Sequence, residues 1–210
     1  MKKVHKMELK ATNISFKYPS AKNYLLKDVN LELDNTKVIG LIGDSGSGKS
    51  TLCKILSGYV TKYEGSVTFD GNPLPKKGFK PVQLIYQHPE KVMNPKWKMN
   101  KVLNESWTPP QELKDTFGLK DQWLTRWPSE LSGGELQRFS ILRALNPKTK
   151  FIIADEISTM LDAVTQVQIW EKLINYAKVN NIGILAVSHD PELLEVICDE
   201  ILYFDEINNL

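Results

Sequence analysis

Apolar and polar residues alternate along Leu9–Pro19 and again along Val29–Asp34, the period of strands buried on one face only. A different pattern follows. Lys37–Gly43 is a nearly continuous apolar run that stops at a glycine-rich stretch. Beyond it, Leu52, Ile55 and Leu56 recur at helical spacing, with Gly58 placed to end the helix. Gly65–Leu74 reads as a strand and turn, and Lys80–Gln87 as another strand. Between about residues 89 and 145 strand runs vanish, prolines and tryptophans cluster, and helical patterning covers Lys101–Trp107 and Gly134–Leu145. Buried-strand character returns in Lys150–Asp155 and Ile182–Asp190, with a helix expected over Thr165–Val179 between them. Strand, helix and strand at that spacing make a βαβ unit, so this part of the sheet should be parallel.

Composition narrows the picture modestly. The 210 residues suffice for one substantial α/β core with an accessory lobe. A net charge of +2 gives no support to a nucleic-acid partner. No apolar run approaches the roughly 20 residues of a membrane span, and no apolar stretch follows the basic start as in a signal peptide. The expected location is cytoplasmic. Cys53 and Cys198 lack metal-ligand spacing and read as two buried thiols. Trp97, Trp107, Trp123, Trp127 and Trp170 are expected to pack or to touch a partner, and His5 and His88 to lie at the surface.

The candidate chemistry begins at Gly43-Asp44-Ser45-Gly46-Ser47-Gly48-Lys49-Ser50-Thr51, a Walker A pattern without a mismatch. Glycines there let backbone N–H groups ring a phosphate, and the helix that follows directs its positive end at the same point. Lys49 would reach the β- and γ-phosphates, and the Ser50 hydroxyl would bind Mg²⁺. Phe151–Ala154 then places Asp155 at a strand end to hold magnesium, with Glu156 next to it to orient or deprotonate an attacking water. A second glycine pair, in Leu131-Ser132-Gly133-Gly134-Glu135, opens another helix. That is an anion site by dipole and unpaired amides, yet no second lysine or acidic pair completes it.

The segment Pro128–Arg138 resembles the signature motif of ATP-binding-cassette (ABC) ATPases, and the other marks of that family follow in order. The resemblance, which spans about residues 9–205, implies a P-loop NTPase core with a parallel sheet, an N-terminal antiparallel β subdomain and an inserted helical subdomain. The core would comprise residues 1–88 and 146–210, and the helical part about 89–145. It implies ATP and Mg²⁺ as ligands, Tyr18 stacked on adenine, and Gln87 as the Q-loop glutamine that touches Mg²⁺ and water. It also implies Asp162 in the D-loop at a dimer interface and His189 as the switch histidine at the γ-phosphate. Two such chains would meet head to tail, Ser132, Gly133 and Gly134 of one capping the γ-phosphate held by the other. Each chain then owns half of two sites.

Asn94-Pro95, shortly after Gln87, resembles the peptide/nickel importer branch, as does Phe117–Arg138 with its Gly-Leu and Trp-Pro. That resemblance implies an ATP hydrolase peripheral on the inner face of the membrane. It would energise import of peptides or of nickel or metal chelates through separate integral permease subunits, served indirectly by an external binding protein. The second ATPase is expected to be a different chain, a homodimer being the alternative. Ile157 stands where proline usually follows the glutamate and Met160 where alanine is common; neither removes a reacting group. The helical lobe looks short, and any function housed in a C-terminal extension would be missing. Three rival readings stand beside this one: a soluble ABC ATPase acting on nucleic acid or ribosomes, a regulatory nucleotide-binding subunit with little turnover, and an export subunit. The chain lacks coiled-coil or tandem insertions, keeps every reacting residue and has no fused span, features that disfavour the three in turn.

Overall fold

The computed structural model of the chain describes residues 6–210, so the expectation for His5 lies outside it. In chain order the strands and helices begin with β1 (Glu8–Phe16), β2 (Leu26–Asp34), β3 (Val38–Ile42), α1 (Lys49–Leu56), β4 (Glu64–Phe69), β5 (Asn72–Pro73) and β6 (Val82–Ile85). The middle carries α2 (Met99–Leu103), α3 (Gln111–Thr116) and α4 (Gly133–Ala144). The chain then continues with β7 (Phe151–Asp155), α5 (Ala163–Asn180), β8 (Gly183–Val187), α6 (Pro191–Ile197), β9 (Glu200–Tyr203) and α7 (Phe204–Ile207).

The alternating segments pair with one another. An antiparallel sheet runs β2-β1-β4-β5, with Leu9 opposite Leu33 and Ala11 opposite Leu31. The continuous apolar runs build a second, wholly parallel sheet in the order β6-β7-β8-β3-β9. Their unbroken hydrophobicity has a direct cause: both faces of this sheet are covered. Phe151 and Ile153 of β7, with Leu185 and Val187 of β8, join the apolar layer shared with α1 and the antiparallel sheet. Their neighbours Ile152, Ala154, Ile184 and Ala186 face the other layer, with Phe139 of α4 and Trp170 of α5. Because the strands run the same way, the segments that leave β3, β6, β7 and β8 emerge along one edge, where open α/β sheets bind ligands.

Some expected boundaries shift, for local reasons. The helix expected over Lys101–Trp107 ends at Leu103. The Asn104 amide folds back onto the Asn100 carbonyl at 2.9 Å, and Trp107 turns inward to donate its indole N–H to the Leu142 carbonyl at 3.1 Å. The helix expected over Thr165–Val179 starts earlier, at Ala163, because Asp162 caps it. Cys53 is buried as expected, and burial pushes its thiol well up. Cys198 is only partly buried, lying past the end of α6. His88 lies at the surface as expected, its side chain 42% exposed, with Nδ1 3.3 Å from Glu90.

Candidate nucleotide site

Gly43–Gly48 leaves β3 and turns into α1, whose N-cap is Gly48 in a left-handed conformation (φ 117°) with no side chain to cap it. The first amides of α1 therefore stay open to an anion. Gly43 is held to glycine by close approach: a Cβ there would stand 2.8 Å from Cβ of Phe204. Lys49 is 5% exposed, and its ammonium donates to the Gly43 and Asp44 carbonyls, both at 2.6 Å. The Ser47 hydroxyl is buried without a hydrogen-bond partner among the described residues. An uncapped helix start, a buried ammonium held by two carbonyls and an orphaned hydroxyl in one loop fit a polyphosphate. Asp44, Ser45 and Gly46 stay exposed along the same loop.

A hard cation fits beside them. Ser50 donates its hydroxyl to Oδ1 of Asp155 at 3.1 Å, which brings two oxygen ligands together at the end of β7. Tyr18, 47% exposed, lies edge-on to Phe16 with its hydroxyl 3.1 Å from that of Thr51, so the ring is tethered beside the loop.

Glu156 follows Asp155 in a left-handed conformation (φ 49°), its N–H donating to the Val187 carbonyl. Its carboxylate accepts from the Gln87 amide at 2.8 Å and stands 3.5 Å from Nδ1 of His189. Residues from three strand ends, far apart in sequence, thus meet at one carboxylate. The next loop is pinned from below, Trp170 of α5 donating its indole N–H to the buried Ser158 hydroxyl at 3.1 Å. Nothing in the sequence pattern pairs these two residues.

The second glycine pair forms a separate place. Ser132 caps α4, accepting from the Glu135 N–H at 3.3 Å, while the Glu135 carboxylate accepts from the Ser132 N–H at 2.8 Å. This reciprocal box leaves the amides of Gly133 and Gly134 unclaimed by the cap. A Cβ at Gly133 would meet Sδ of Met160 at 2.8 Å, and one at Gly134 would meet Leu161 at the same distance, so the loop before α5 rests on both glycines. That contact was not legible in the sequence either. Asp162 faces the same cavity of about 580 Å³, and two bonds from Thr165, at 3.0 and 2.6 Å, hold its carboxyl below the usual range. No residue of the 43–51 loop lines that cavity. The chain's two anion cradles do not converge on each other.

A family profile described as ABC transporter matches residues 26–159, from β2 through both glycine loops to the Asp155-Glu156 pair. The chain belongs to the ABC transporter ATP-binding family. It is 32% identical to the nickel import system ATP-binding protein NikE of Staphylococcus aureus strain bovine RF122 / ET3-1, over 93% of this chain and 85% of that protein. The NikE protein of strain N315 is 31% identical with the same coverage. Among solved structures, the dimeric post-hydrolysis state of the ATP-binding cassette MJ0796 bound to ADP and Pi superposes with a TM-score of 0.80. It covers 93% of both chains at 24% identity, which speaks for the fold alone. A structure described as the ATP binding subunit of an ABC transporter superposes with a TM-score of 0.77 at 23% identity, covering 93% of this chain and 85% of that one.

In this ABC ATPase the Asp155 carboxyl is raised above its ordinary value, by burial first, with the Ser50 hydrogen bond opposing and the Glu156 charge adding to it. A raised carboxylate favours the folded state only where it is protonated. As pH climbs from the unfolded to the folded value that advantage disappears, and at neutral pH burying the charged group costs stability. Asp155→Asn should therefore stabilise the nucleotide-free protein by about 1 kcal/mol, raising Tm by roughly 2–4 °C. The gain should shrink as pH falls to about 4. Calorimetry at the two pH values checks this, and a variant less stable than wild type at neutral pH would refute it.

Proposed function

We propose that this ATPase energises the import of nickel or a metal chelate through a separate membrane permease. The observation that carries the cargo is the likeness, over 93% of the chain, to proteins named as nickel import ATP-binding subunits. The Asn94-Pro95 segment after Gln87 agrees with that branch, which also includes peptide importers. Among the described residues no helix is long and apolar enough to cross a membrane, and a permease would supply the path. We assign nucleotide binding to residues 1–88 and 146–210, and the signature and the permease contact to about 89–145.

The reaction we assign uses residues the fold gathers. Lys49 and the amides of the Gly46–Gly48 turn bind the β- and γ-phosphates, and Tyr18 offers its ring to the adenine. Ser50, Asp155 and Gln87 hold Mg²⁺, which when bound neutralises charge spread over the phosphoryl oxygens. Glu156 orients the attacking water and takes its proton, while His189 steadies the γ-phosphate. Ser132, Gly133 and Gly134 cap the nucleotide of a second ATPase chain, with Asp162 at that interface. The separate cavity in front of Ser132 supports this reading, since one chain alone leaves each cradle half complete. Only the ATP-bound pair is bridged by the triphosphate, so nucleotide state sets subunit geometry. Dimeric structures of MJ0796 agree with a paired arrangement, and we favour a heterodimer.

The test is to purify the transporter assembled around this chain and to measure phosphate release with and without its permease and binding protein. Turnover should rise in the full complex, and the binding protein should carry nickel or a chelate. Unchanged turnover would remove the import role; peptides on the binding protein would move the cargo to the other side of the branch.

A further inference from the structure

The phosphate loop is backed by a segment that none of the nucleotide motifs includes. Phe204 opens α7, is fully buried, and its Cβ stands 2.8 Å from where a Cβ on Gly43 would lie. At the other end of the loop, a Cβ on Gly48 would meet the Leu25 side chain at 3.1 Å and the Leu25 carbonyl at 3.3 Å. That carbonyl accepts from the side-chain amide of Asn208 at 3.2 Å. Asn208 follows α7 directly, its N–H donating to the Phe204 carbonyl at 3.0 Å. It is buried, and its Oδ1 accepts from the Lys27 N–H at 2.8 Å. The next residue continues the link, the Asn209 N–H donating to the Lys27 carbonyl at 3.0 Å. Residues 204–209 therefore support Gly43 directly and Gly48 through Leu25. Leu25 also reaches the side where Tyr18 stands. Its N–H donates to the Phe16 carbonyl at 2.8 Å, and the Phe16 ring lies edge-on to that of Tyr18.

We propose that Asn208 is a positioning residue for the ATP site. By clamping the turn at Leu25 it fixes the backing of Gly48, and with it the open amides at the start of α1. A loop whose amides point inward before the ligand arrives binds tightly only while its support holds, since any lost order must be restored on binding. An amide side chain suits this task. It donates to one backbone carbonyl and accepts from a backbone N–H two residues on, which an ionised carboxylate cannot do. The inference rests on the assignment of the 43–51 loop to the phosphates of ATP, and not on the cargo, the permease or the pairing of chains.

The experiment is calorimetric titration of the full chain with the non-hydrolysable β,γ-imido analogue of ATP and Mg²⁺. Asn208→Ala should weaken binding about five- to ten-fold, the worth of one buried hydrogen bond. Asn35→Ala is the control. Asn35 is also buried and bonds backbone on two sides, accepting from the Met7 N–H at 2.8 Å and donating to the Asn181 carbonyl at 3.2 Å, but just past the opposite end of β2. Its loss should lower Tm and leave affinity unchanged. Wild type supplies a second measurement that needs no variant. Linkage is reciprocal, so the analogue should slow hydrogen exchange of the Lys27 and Asn209 amides about five-fold more than that of the Met7 amide. A clamp serving stability alone would not respond in this way. Equal loss of affinity in the two alanine variants, or equal protection of the three amides, would overturn the role of Asn208. Lys49→Ala tests the underlying assignment separately. Undiminished binding there would remove the loop from the site, whereas lost binding there beside full affinity in Asn208→Ala would overturn the positioning role alone.

Discussion

Glu156→Gln should bind ATP as well as wild type while phosphate release falls by about 10²–10⁴-fold, the range for loss of a positioned general base. The amide keeps the shape of the side chain and can still bond to the Gln87 amide, now 2.8 Å from the carboxylate. What it loses is the capacity to take a proton from water. It also removes a negative charge next to Asp155, a charge that raises the Asp155 carboxyl, so occupancy of the site should not suffer. Binding without turnover should trap the closed pair, seen as an ATP-dependent complex of this chain with its partner ATPase in size-exclusion chromatography with light scattering. Phosphate release near the wild-type rate would strip Glu156 of the role assigned to it.

Trp170→Ala carries the largest stability loss expected. The ring is 1% exposed, lies in the apolar layer between the parallel sheet and α5, and holds the Ser158 hydroxyl. Truncating a buried Trp costs about 3–5 kcal/mol through lost burial and the cavity left behind. At roughly 2–4 °C per kcal/mol for a chain of this size, Tm should fall by on the order of 10 °C. Trp170→Phe keeps most of the packing and loses the indole donor, so it should cost about 1–3 kcal/mol by orphaning a buried hydroxyl. Urea unfolding curves measure both. A loss below about 1 kcal/mol for the alanine variant would mean that the layer collapses around the gap.

The elements were legible where their hydrophobic period was strong. Lys37–Gly43, Lys150–Asp155 and Ile182–Asp190 are apolar on both sides because the sheet they form is covered on both faces. Boundaries were less legible where side chains rather than period ended an element. Asn104 folding onto Asn100 and Asp162 capping α5 are contacts of a few atoms, invisible to a count of apolar positions. Among site residues, Lys49, Ser50 and Asp155 stand at fixed spacings or strand ends, and the fold places them together as those signals suggest. The contacts of Trp170 with Ser158 and of Met160 with Gly133 had no such signal. They join residues whose side chains are ordinary packing types.

The sequence by itself determined which groups this protein owns: two glycine-rich helix starts, a lysine within the first of them, an acidic pair at a strand end. Local chemistry settles that, because glycine freedom, helix amides and carboxylates act over a few residues. Only the tertiary structure decided which of them meet. The parallel order β6-β7-β8-β3 gathers Gln87, Glu156 and His189 from three strand ends onto one carboxylate. The same fold rests Met160 and Leu161 on the signature glycines, in a cavity that the 43–51 loop does not line. Adjacency across a sheet depends on strand order, and strand order is a property of the whole packed core.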